Sequence, residues 1–220
     1  MSQEQEKSAT TTFEPLVRLS GKVAVLPGAN TDTDQIIPAR FLKKDRAQGY
    51  GQYLFHDARF DEQGNARQHP LNVETWNRPV ILCVQDNFGC GSSREGAVYA
   101  LVDYGIKAVV GTTFGDIFYN NCFKNGLLPV KLTPSDHQRL SRALAAMGGG
   151  ALMTVDLESC TVSCGSESAG FEVDDFWREC LMKGLDEVSL TLSYEDQIGA
   201  FEDSYGKQFP WLRRNVKASD

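Results

Sequence analysis

The segment from Asn87 to Glu95 (NFGCGSSRE) holds the residue types best suited to chemistry in this chain of 220 residues. It joins a buried apolar strand to a helical pattern. It therefore lies at a helix N-terminus, where free backbone N–H groups and the helix dipole favour anions. Glycines allow close approach of a ligand to the backbone, and hydroxyls and a guanidinium follow them: Gly89, Gly91, Ser92, Ser93 and Arg94. The segment predicts a cradle for a carboxylate or phosphate, with a hydroxyl nucleophile or base inside it.

A plain structural explanation of the same segment stays open at this point. The serines could cap the following helix and the arginine could be solvated, because isolated motif matches are often accidental. A dinucleotide-binding turn fits less well, since the third glycine of that motif would fall on Arg94. A Walker phosphate loop is excluded, because no Gly-Lys-Ser/Thr follows the glycines.

An alternation of strands and helices positions this segment. Hydrophobic spacing and cap residues predict the strands 80–84, 106–111 and 127–132 and the helices 94–104, 116–125 and 134–147. Before them we expect a strand pair, 13–20 and 22–26, and a long loop excursion, 49–69. After them we expect short strands at 152–157, 160–163 and 170–173 and helices at 174–185 and 193–201. The pattern predicts an α/β domain with layers of β and α structure.

Charge and hydropathy narrow the choice of partners. The net charge is −7, from 22 basic and 29 acidic residues, which leaves no electrostatic footprint for nucleic acid or an anionic membrane. An anionic substrate therefore needs a local region of positive potential. No apolar run approaches the roughly 18 residues of a membrane span, and residues 1–12 are polar, unlike a signal peptide. We expect a disordered N-terminus over 1–12 and a cytoplasmic protein that binds neither nucleic acid nor membrane.

The six cysteines do not form a recognisable metal motif. The sequence contains no Cys-x-x-Cys, and its three histidines are scattered. Cys83 and Cys122 have apolar neighbours in the sequence, where a thiol behaves as a small hydrophobe. We expect no metal site built by this chain alone, and reduced thiols as in the cytosol.

Four motifs in the chain resemble, in order and spacing, those of the isopropylmalate dehydratase small subunit, a family of the aconitase superfamily. They are Asn30–Pro38 (NTDTDQIIP), Gly91–Glu95 (GSSRE), Asp116–Asn121 (DIFYNN) and Asn125–Pro129 (NGLLP). The segment Gly184–Leu192 is also similar to the C-terminal end of that family. The resemblance covers residues 13–205, most of the chain.

The resemblance implies a fold, a reaction and a partner. The fold is a swivelling β/β/α three-layer domain, here over 13–205 and followed by an irregular tail over 206–220. The reaction interconverts 2- and 3-isopropylmalate by dehydration and rehydration in leucine biosynthesis. The partner is a large subunit that carries a [4Fe–4S] cluster on three cysteines, so the small subunit holds no cofactor itself and acts on a small dicarboxylate only in the complex.

The resemblance also implies roles for individual residues. Ser92 is the base that takes the proton, Ser93 and Arg94 hold a substrate carboxylate beside Gly91, and Asp34 orients or assists at the same site. From residue type alone, Asp34 could instead form an Asx-turn. Glu95 could be a helix-start residue that complements the dipole rather than a catalytic group.

Some features leave the substrate open. Gly96 stands where the family often has histidine. The substrate could be another substituted malate, of the citraconate, dimethylmalate or homoaconitate type, and a non-catalytic anion-binding module is a further alternative. The loop after Pro38 should discriminate, because an apolar wall suits an isopropyl group and an extra cation suits a third carboxylate. That loop contains Ala39, Phe41 and Leu42 but also Arg40 and Lys43, whose roles stay unassigned.

Overall fold

A computed structural model describes residues 12–74, 77–148 and 151–212. Of the predicted disordered N-terminus, 1–12, residues 1–11 lie outside the described residues, and of the predicted irregular tail, 206–220, residues 213–220 do. Within the described ranges the strands form one mixed sheet in the order β4-β3-β2-β1-β5-β6-β7. The strands are β1 (Arg18–Val25), β2 (Ile81–Cys83), β3 (Ala108–Gly111), β4 (Leu128–Lys131), β5 (Leu152–Asp156), β6 (Thr161–Cys164) and β7 (Glu167–Gly170).

The first strand, β1, joins two halves of the sheet. Its second part pairs in parallel with β2, and its first part pairs antiparallel with β5. The predicted strand pair split at Gly21 is therefore wrong, because one strand runs through Gly21, which faces Met153 in the ladder. The glycine is needed for packing rather than for a turn: a Cβ there would lie 2.2 Å from Cγ2 of Val80. Strands β1 to β4 are all parallel, and β5 to β7 form an antiparallel meander.

Eight α-helices lie in the described part of the chain. They are α1 (Thr33–Ile36), α2 (His56–Arg59), α3 (Glu95–Tyr104), α4 (Asp116–Lys124), α5 (Pro134–Met147), α6 (Asp175–Lys183), α7 (Glu187–Leu192) and α8 (Glu195–Gln208). The predicted ends of α5 are confirmed, since the Thr133 hydroxyl caps its N-terminus and Gly148 ends it. The helix α3 ends as expected at Gly105, which adopts a left-handed conformation with φ of 110°.

The parallel half of the sheet is covered on both faces, as parallel sheets require. Alternate residues of β2 point into two separate hydrophobic clusters. Leu82 belongs to the cluster that contains Ala97 and Leu101 of α3. Ile81 belongs to the cluster formed with α5, α6 and strands β5 and β6. This layering agrees with the α/β fold expected from the sequence and fixes α3 against the sheet.

The connection from β1 to β2 is more ordered than the predicted loop excursion. It contains α1, α2 and three short 3₁₀ turns, Ala39–Phe41, Arg46–Gln48 and Tyr50–Tyr53. Leu54 is fully buried and Phe55 nearly so, although the segment shows no helical or strand periodicity. Gly51 packs on the end of α3, where a Cβ would lie 2.5 Å from the Tyr104 amide nitrogen.

The C-terminal region differs most from the expectation. The sequence predicts one helix over 193–201, but α7 precedes that range and α8 extends to Gln208, beyond the expected boundary at 205. A 3₁₀ turn, Pro210–Leu212, follows α8. None of the helices in the described residues is long and apolar enough to cross a membrane.

Candidate active site

Three loops meet at the carboxyl ends of the parallel strands β1, β2 and β3. The loop after β2 is held to the loop after β1 by the Gly89 amide, which donates to the Thr31 carbonyl at 2.7 Å. It is held to the loop after β3 by the Gly115 amide, which donates to the Phe88 carbonyl at 2.9 Å. Ligands of open α/β sheets bind at this edge, because the loops that end the strands converge there. The predicted cradle is thus fastened on both sides.

The conformation of the cradle depends on its two glycines. Gly89 and Gly91 have φ of 73° and 90°, values that other residues adopt only with strain. At Gly89 the reason is also steric, since a Cβ would lie 2.2 Å from Cγ of Phe118. The Phe118 ring packs edge-on against Phe88, with 5.4 Å between ring centroids, and supports the turn from behind.

The two serines do not cap the helix. The N-cap of α3 is Arg94, and no side chain of the described residues caps it. Ser92 and Ser93 are exposed. In the first turn of α3 the Ala97 amide donates to the Arg94 carbonyl at 3.2 Å, while the Glu95 and Gly96 amides have no acceptor among the described residues. The serine hydroxyls therefore stand beside uncapped N–H donors. The capping explanation left open by the sequence therefore does not describe this turn.

The backbone of Ser92 is fixed by its neighbour loop. Its carbonyl accepts hydrogen bonds from the Thr33 hydroxyl at 3.0 Å and from the Arg94 amide at 2.8 Å. Thr33 is 1% exposed, so its hydroxyl is a buried donor that this carbonyl satisfies. Gly91 also lies against this loop, because a Cβ there would be 3.5 Å from Cβ of Asp32.

Asp34 and Arg94 form an ion pair across the same two loops. Nη1 of Arg94 donates to Oδ1 of Asp34, and the side chains of Arg94 and Asp34 are 22% and 52% exposed, respectively. The Asx-turn alternative applies to Asp32 instead. Its carboxylate caps α1 by accepting from the Gln35 amide at 2.7 Å, and the Gln35 side chain accepts from the Asp32 amide at 3.2 Å. The structure therefore brings Asp34 to Arg94, and brings Gly91, Ser92 and Ser93 to the adjoining turn.

Glu95 and Tyr119 occupy structural positions. Glu95 lies in the first turn of α3 and accepts a hydrogen bond from the Asn125 side chain at 3.0 Å. Tyr119 packs against Phe123 and Phe114, with 5.0 Å and 5.8 Å between ring centroids. Phe118, from the same helix, is the ring that packs against Phe88 behind the cradle.

The loop after Pro38 packs on the start of α3. A Cβ at Gly96 would lie 2.6 Å from Cδ2 of Leu42, so glycine leaves the space that Leu42 fills. The Arg40 guanidinium donates to both carboxylate oxygens of Asp57. This hydrogen bonding lowers the pKa of Asp57 to about 2. Lys43 is exposed.

The cysteines of the chain do not fit a cluster site. All six are free thiols, and Cys83, Cys122, Cys164 and Cys180 are buried. Burial raises the pKa of the Cys83 thiol to about 11. Cys90 lies in the cradle, but in the ranges that the structure describes no three His, Cys, Asp or Glu side chains meet as a metal site.

Sequence reasoning missed residues that build the site without doing chemistry. Thr33 and Phe118 are the most important, and neither has a distinctive signal apart from its place in a motif. Asn30 and Asn87 both have φ of 58°, and the Asn87 side-chain amide donates to Asn30 Oδ1 at 2.8 Å. Asparagine tolerates this conformation better than most residues. That preference is the one signal in the sequence that could have linked the two loops.

A cavity of about 590 Å³ lies apart from this cradle, among residues of β1, α5 and the segments 70–73 and 77–79. Its lining includes Val23, Pro70 and Leu144 but none of the predicted site residues. The candidate active site is thus the turn at the sheet edge and not this cavity.

The fold and the cradle define a class, the aconitase-type swivelling domain. Residues 13–135 match the model of the aconitase C-terminal domain, and residues 187–215 match that of the C-terminal domain of 3-isopropylmalate dehydratase small subunits. The chain is 45% identical over 202 residues to the 3-isopropylmalate dehydratase small subunit of Rhizobium rhizogenes, covering 90% of this chain and 99% of that protein. Identity to the same subunit of Leptospira interrogans is 44%, over 91% of this chain and 98% of that protein.

The chain belongs to the family of 3-isopropylmalate dehydratase small subunits. A solved structure titled as 3-isopropylmalate dehydratase from Methanocaldococcus jannaschii is also similar, with a TM-score of 0.59 and 25% sequence identity. The similarity covers 86% of this chain and 100% of that chain. The family and the α/β fold expected from the four motifs are confirmed.

Proposed function

We propose that this chain is the small subunit of a hydro-lyase that interconverts 2- and 3-isopropylmalate in leucine biosynthesis, active only with its large subunit. The observation that carries the proposal is the uncapped N-terminus of α3, where both serines are exposed. The Arg94 guanidinium lies next to them and is held by Asp34. Two hydroxyls and a guanidinium at a helix N-terminus suit a substrate carboxylate.

Carboxylate binding is the task we assign to Ser93, Arg94 and the Gly91 backbone. The net charge of −7 works against an anionic substrate, so attraction has to come from this local group. Arg94 donates one hydrogen bond to Asp34 through Nη1. Its other donors remain for the substrate, because a guanidinium has five N–H groups. Asp34 then fixes the direction of the guanidinium.

Proton removal is the task we assign to Ser92. The proton lies alpha to a carboxylate and is very weakly acidic, so the dianionic intermediate needs strong electrostatic stabilisation. The uncapped N–H groups of α3 and the Arg94 charge supply positive potential at this position. The same potential favours the deprotonated form of the Ser92 hydroxyl. The Thr33 hydrogen bond to the Ser92 carbonyl holds the backbone at this residue in place.

Loss of the substrate hydroxide needs a Lewis acid, which the thiols of this chain are not placed to bind. We propose that a [4Fe–4S] cluster on the large subunit supplies this chemistry when bound. The residues of this chain then bind, orient and deprotonate the substrate from the opposite side of a shared site. We further propose that the complex works in the cytoplasm, where the six free thiols stay reduced.

An isopropyl side group fits the loop after Pro38 better than a third carboxylate does. Leu42 packs on the start of α3 at Gly96, close to the cradle. Arg40, the candidate extra cation, is bound by both oxygens of Asp57 and lies 4.5 Å from the Phe41 ring centroid. The loop therefore offers an apolar side chain beside the start of α3, while its arginine is occupied by Asp57.

The proposal is tested by anaerobic purification of this chain with the large subunit of the same organism. Turnover of 2-isopropylmalate is followed by proton NMR and compared with citraconate, dimethylmalate and homoaconitate. We expect the highest kcat/KM for isopropylmalate. A higher kcat/KM for another substrate of the panel, or no turnover by a complex with an intact cluster, contradicts the proposal.

A further inference from the structure

The C-terminal helix α8 has an apolar face that the rest of the described chain does not cover. All fourteen residues of α8 are described and none is buried. Ile198, Phe201 and Tyr205 follow the spacing of one helix face and are 40%, 63% and 43% exposed. An amphipathic helix normally buries this face, so the structure shows a helix without its partner surface.

Aromatic rings extend this face past the end of the helix. Phe201 and Tyr205 stack with 5.5 Å between ring centroids, Tyr205 contacts Phe209 at 4.8 Å, and Phe209 contacts Trp211 at 5.5 Å. We call Phe201, Tyr205, Phe209 and Trp211 the aromatic ladder. Trp211 is 74% exposed. Large exposed aromatic side chains in a continuous row are typical of protein interfaces, where they act as anchors.

The preceding helix, α7, also exposes apolar residues. Val188 and Leu192 are 66% and 62% exposed, although Leu190 of the same helix is buried. The helix is thus anchored through Leu190 and leaves its other apolar side chains exposed. Exposed apolar patches mark interaction sites rather than ordinary surface.

Charge selects the kind of partner. Residues 186–208 contain six acidic residues and one basic residue, Lys207, which gives a net charge of −5. Two copies of such a segment would repel each other, so a second copy of this chain is a poor occupant. A groove with an apolar floor and a rim of lysine and arginine is complementary.

The family comparison points to the same partner. The match to the C-terminal domain of the small subunits, 187–215, includes α7, α8 and the aromatic ladder. The match to the aconitase C-terminal domain, 13–135, contains the whole cradle. The exposed apolar face thus lies in the part that matches a model named for the small subunits, and outside the part that matches the aconitase C-terminal domain.

We propose that α8 and the aromatic ladder that continues past its end dock in an apolar groove of the large subunit that is rimmed by basic residues. The large subunit is the partner named in the proposed function, on which this assignment rests. The cradle residues all lie outside α7 and α8. Docking through α8 therefore leaves the cradle free to complete the shared site. The ladder contributes affinity for the partner and no group to the reaction.

The test compares two variants of the full chain that add the same charge to α8. The first is Phe201→Asp with Tyr205→Asp, on the ladder. The control is Ala200→Asp with Ser204→Asp, at exposed positions of the same helix outside the ladder. Because no residue of α8 is buried, circular dichroism and thermal unfolding should match wild type for the folded body of both variants.

Affinity for the purified large subunit is measured by calorimetric titration, and kcat is measured at saturating large subunit. We expect the ladder variant to bind at least about tenfold more weakly, with unchanged kcat at saturation, and the control to bind within about threefold of wild type. Higher salt should weaken binding by wild type.

Several results would overturn the assignment. Wild-type affinity in the ladder variant is one, and absence of binding between the wild-type subunits is another. Sedimentation showing that the chain alone self-associates through the ladder would make a second copy the occupant. If binding depends on the ladder but the wild-type complex turns over no substrate, the docking surface stands and the proposed reaction fails.

Discussion

Thr33 makes the contact that most directly links the site geometry to an experiment. Its buried hydroxyl donates to the Ser92 carbonyl at 3.0 Å, and Thr33→Val removes this bond while keeping the shape of the side chain. The carbonyl keeps the Arg94 amide as a donor at 2.8 Å, so it is not left unsatisfied. The loss of unfolding free energy should therefore be that of one hydrogen bond, about 0.5–1.5 kcal/mol. For a chain of this size the Tm falls by about 1–6 °C.

The effect of Thr33→Val on catalysis should exceed its effect on stability. If Thr33 positions Ser92, the small displacement of a reacting group lowers kcat by about 10- to 100-fold and leaves KM nearly unchanged. Steady-state kinetics of the assembled enzyme measures this, and Thr33→Ser should restore kcat because it restores the hydroxyl. In a Ser92→Ala background, Thr33→Val should have no further effect on kcat.

A different pattern would refute the positioning role of Thr33. If Thr33→Val lowers Tm as expected but retains wild-type kcat, the hydrogen bond only stabilises the loop. If Thr33→Val lowers kcat equally with and without Ser92, Thr33 acts on the site independently of Ser92.

Further predictions concern the cradle and the cofactor. Arg94→Lys should lower kcat/KM, with a loss of about 1.5–3 kcal/mol of transition-state stabilisation, because lysine cannot reproduce the guanidinium geometry. If the variant retains wild-type kinetics, Arg94 is only a surface charge. Gly89→Ala should cost at least about 2 kcal/mol in urea unfolding, since it combines a left-handed φ with the contact to Phe118. Gly64→Ala is the control, because Gly64 has φ of 82° but open space around it. An equal loss of unfolding free energy in both variants would show that the contact with Phe118 adds nothing. Anaerobic incubation of this chain alone with iron and sulfide should leave it colourless, and a stoichiometric iron–sulfur absorbance would contradict the placement of the cluster on the partner.

Much of the fold could be predicted because its central part alternates strands and helices with clear ends. The strands β2 to β4 are short apolar runs, and α3 to α5 have regular spacing, with Gly105 directly after α3 and Gly148 directly after α5. The predicted break between two strands at Gly21 is wrong for a physical reason. The strand β1 is shared by the two halves of the sheet, and its glycine provides space for Val80 rather than a turn. The segment 49–69 reads as a loop in the sequence because its burial comes from tertiary packing and not from any period in the sequence.

The order of the motifs was enough to predict which loops form the candidate site, but not how its side chains pair. Sequence shows that Asp34 and Arg94 belong to two motifs, and only the sheet topology brings their side chains into contact. Thr33 and Phe118 escaped notice because a buried hydroxyl and a supporting ring have no pattern of their own. The catalytic and binding roles of Ser92, Ser93, Arg94 and Asp34 stay predictions, for which the geometry now supplies specific variants.

The most direct test of the account is the kinetic comparison of Ser92→Ala and Ser93→Ala in the assembled enzyme. A base contributes about 10²–10⁴-fold in the transition state, so Ser92→Ala should lower kcat by at least that range with little change in KM. Ser93→Ala should raise KM more than it lowers kcat, because its hydroxyl binds the substrate. Neither variant should lose much stability, since neither serine caps α3. A Ser92→Ala enzyme that retains wild-type kcat would contradict the assignment of Ser92 as the base.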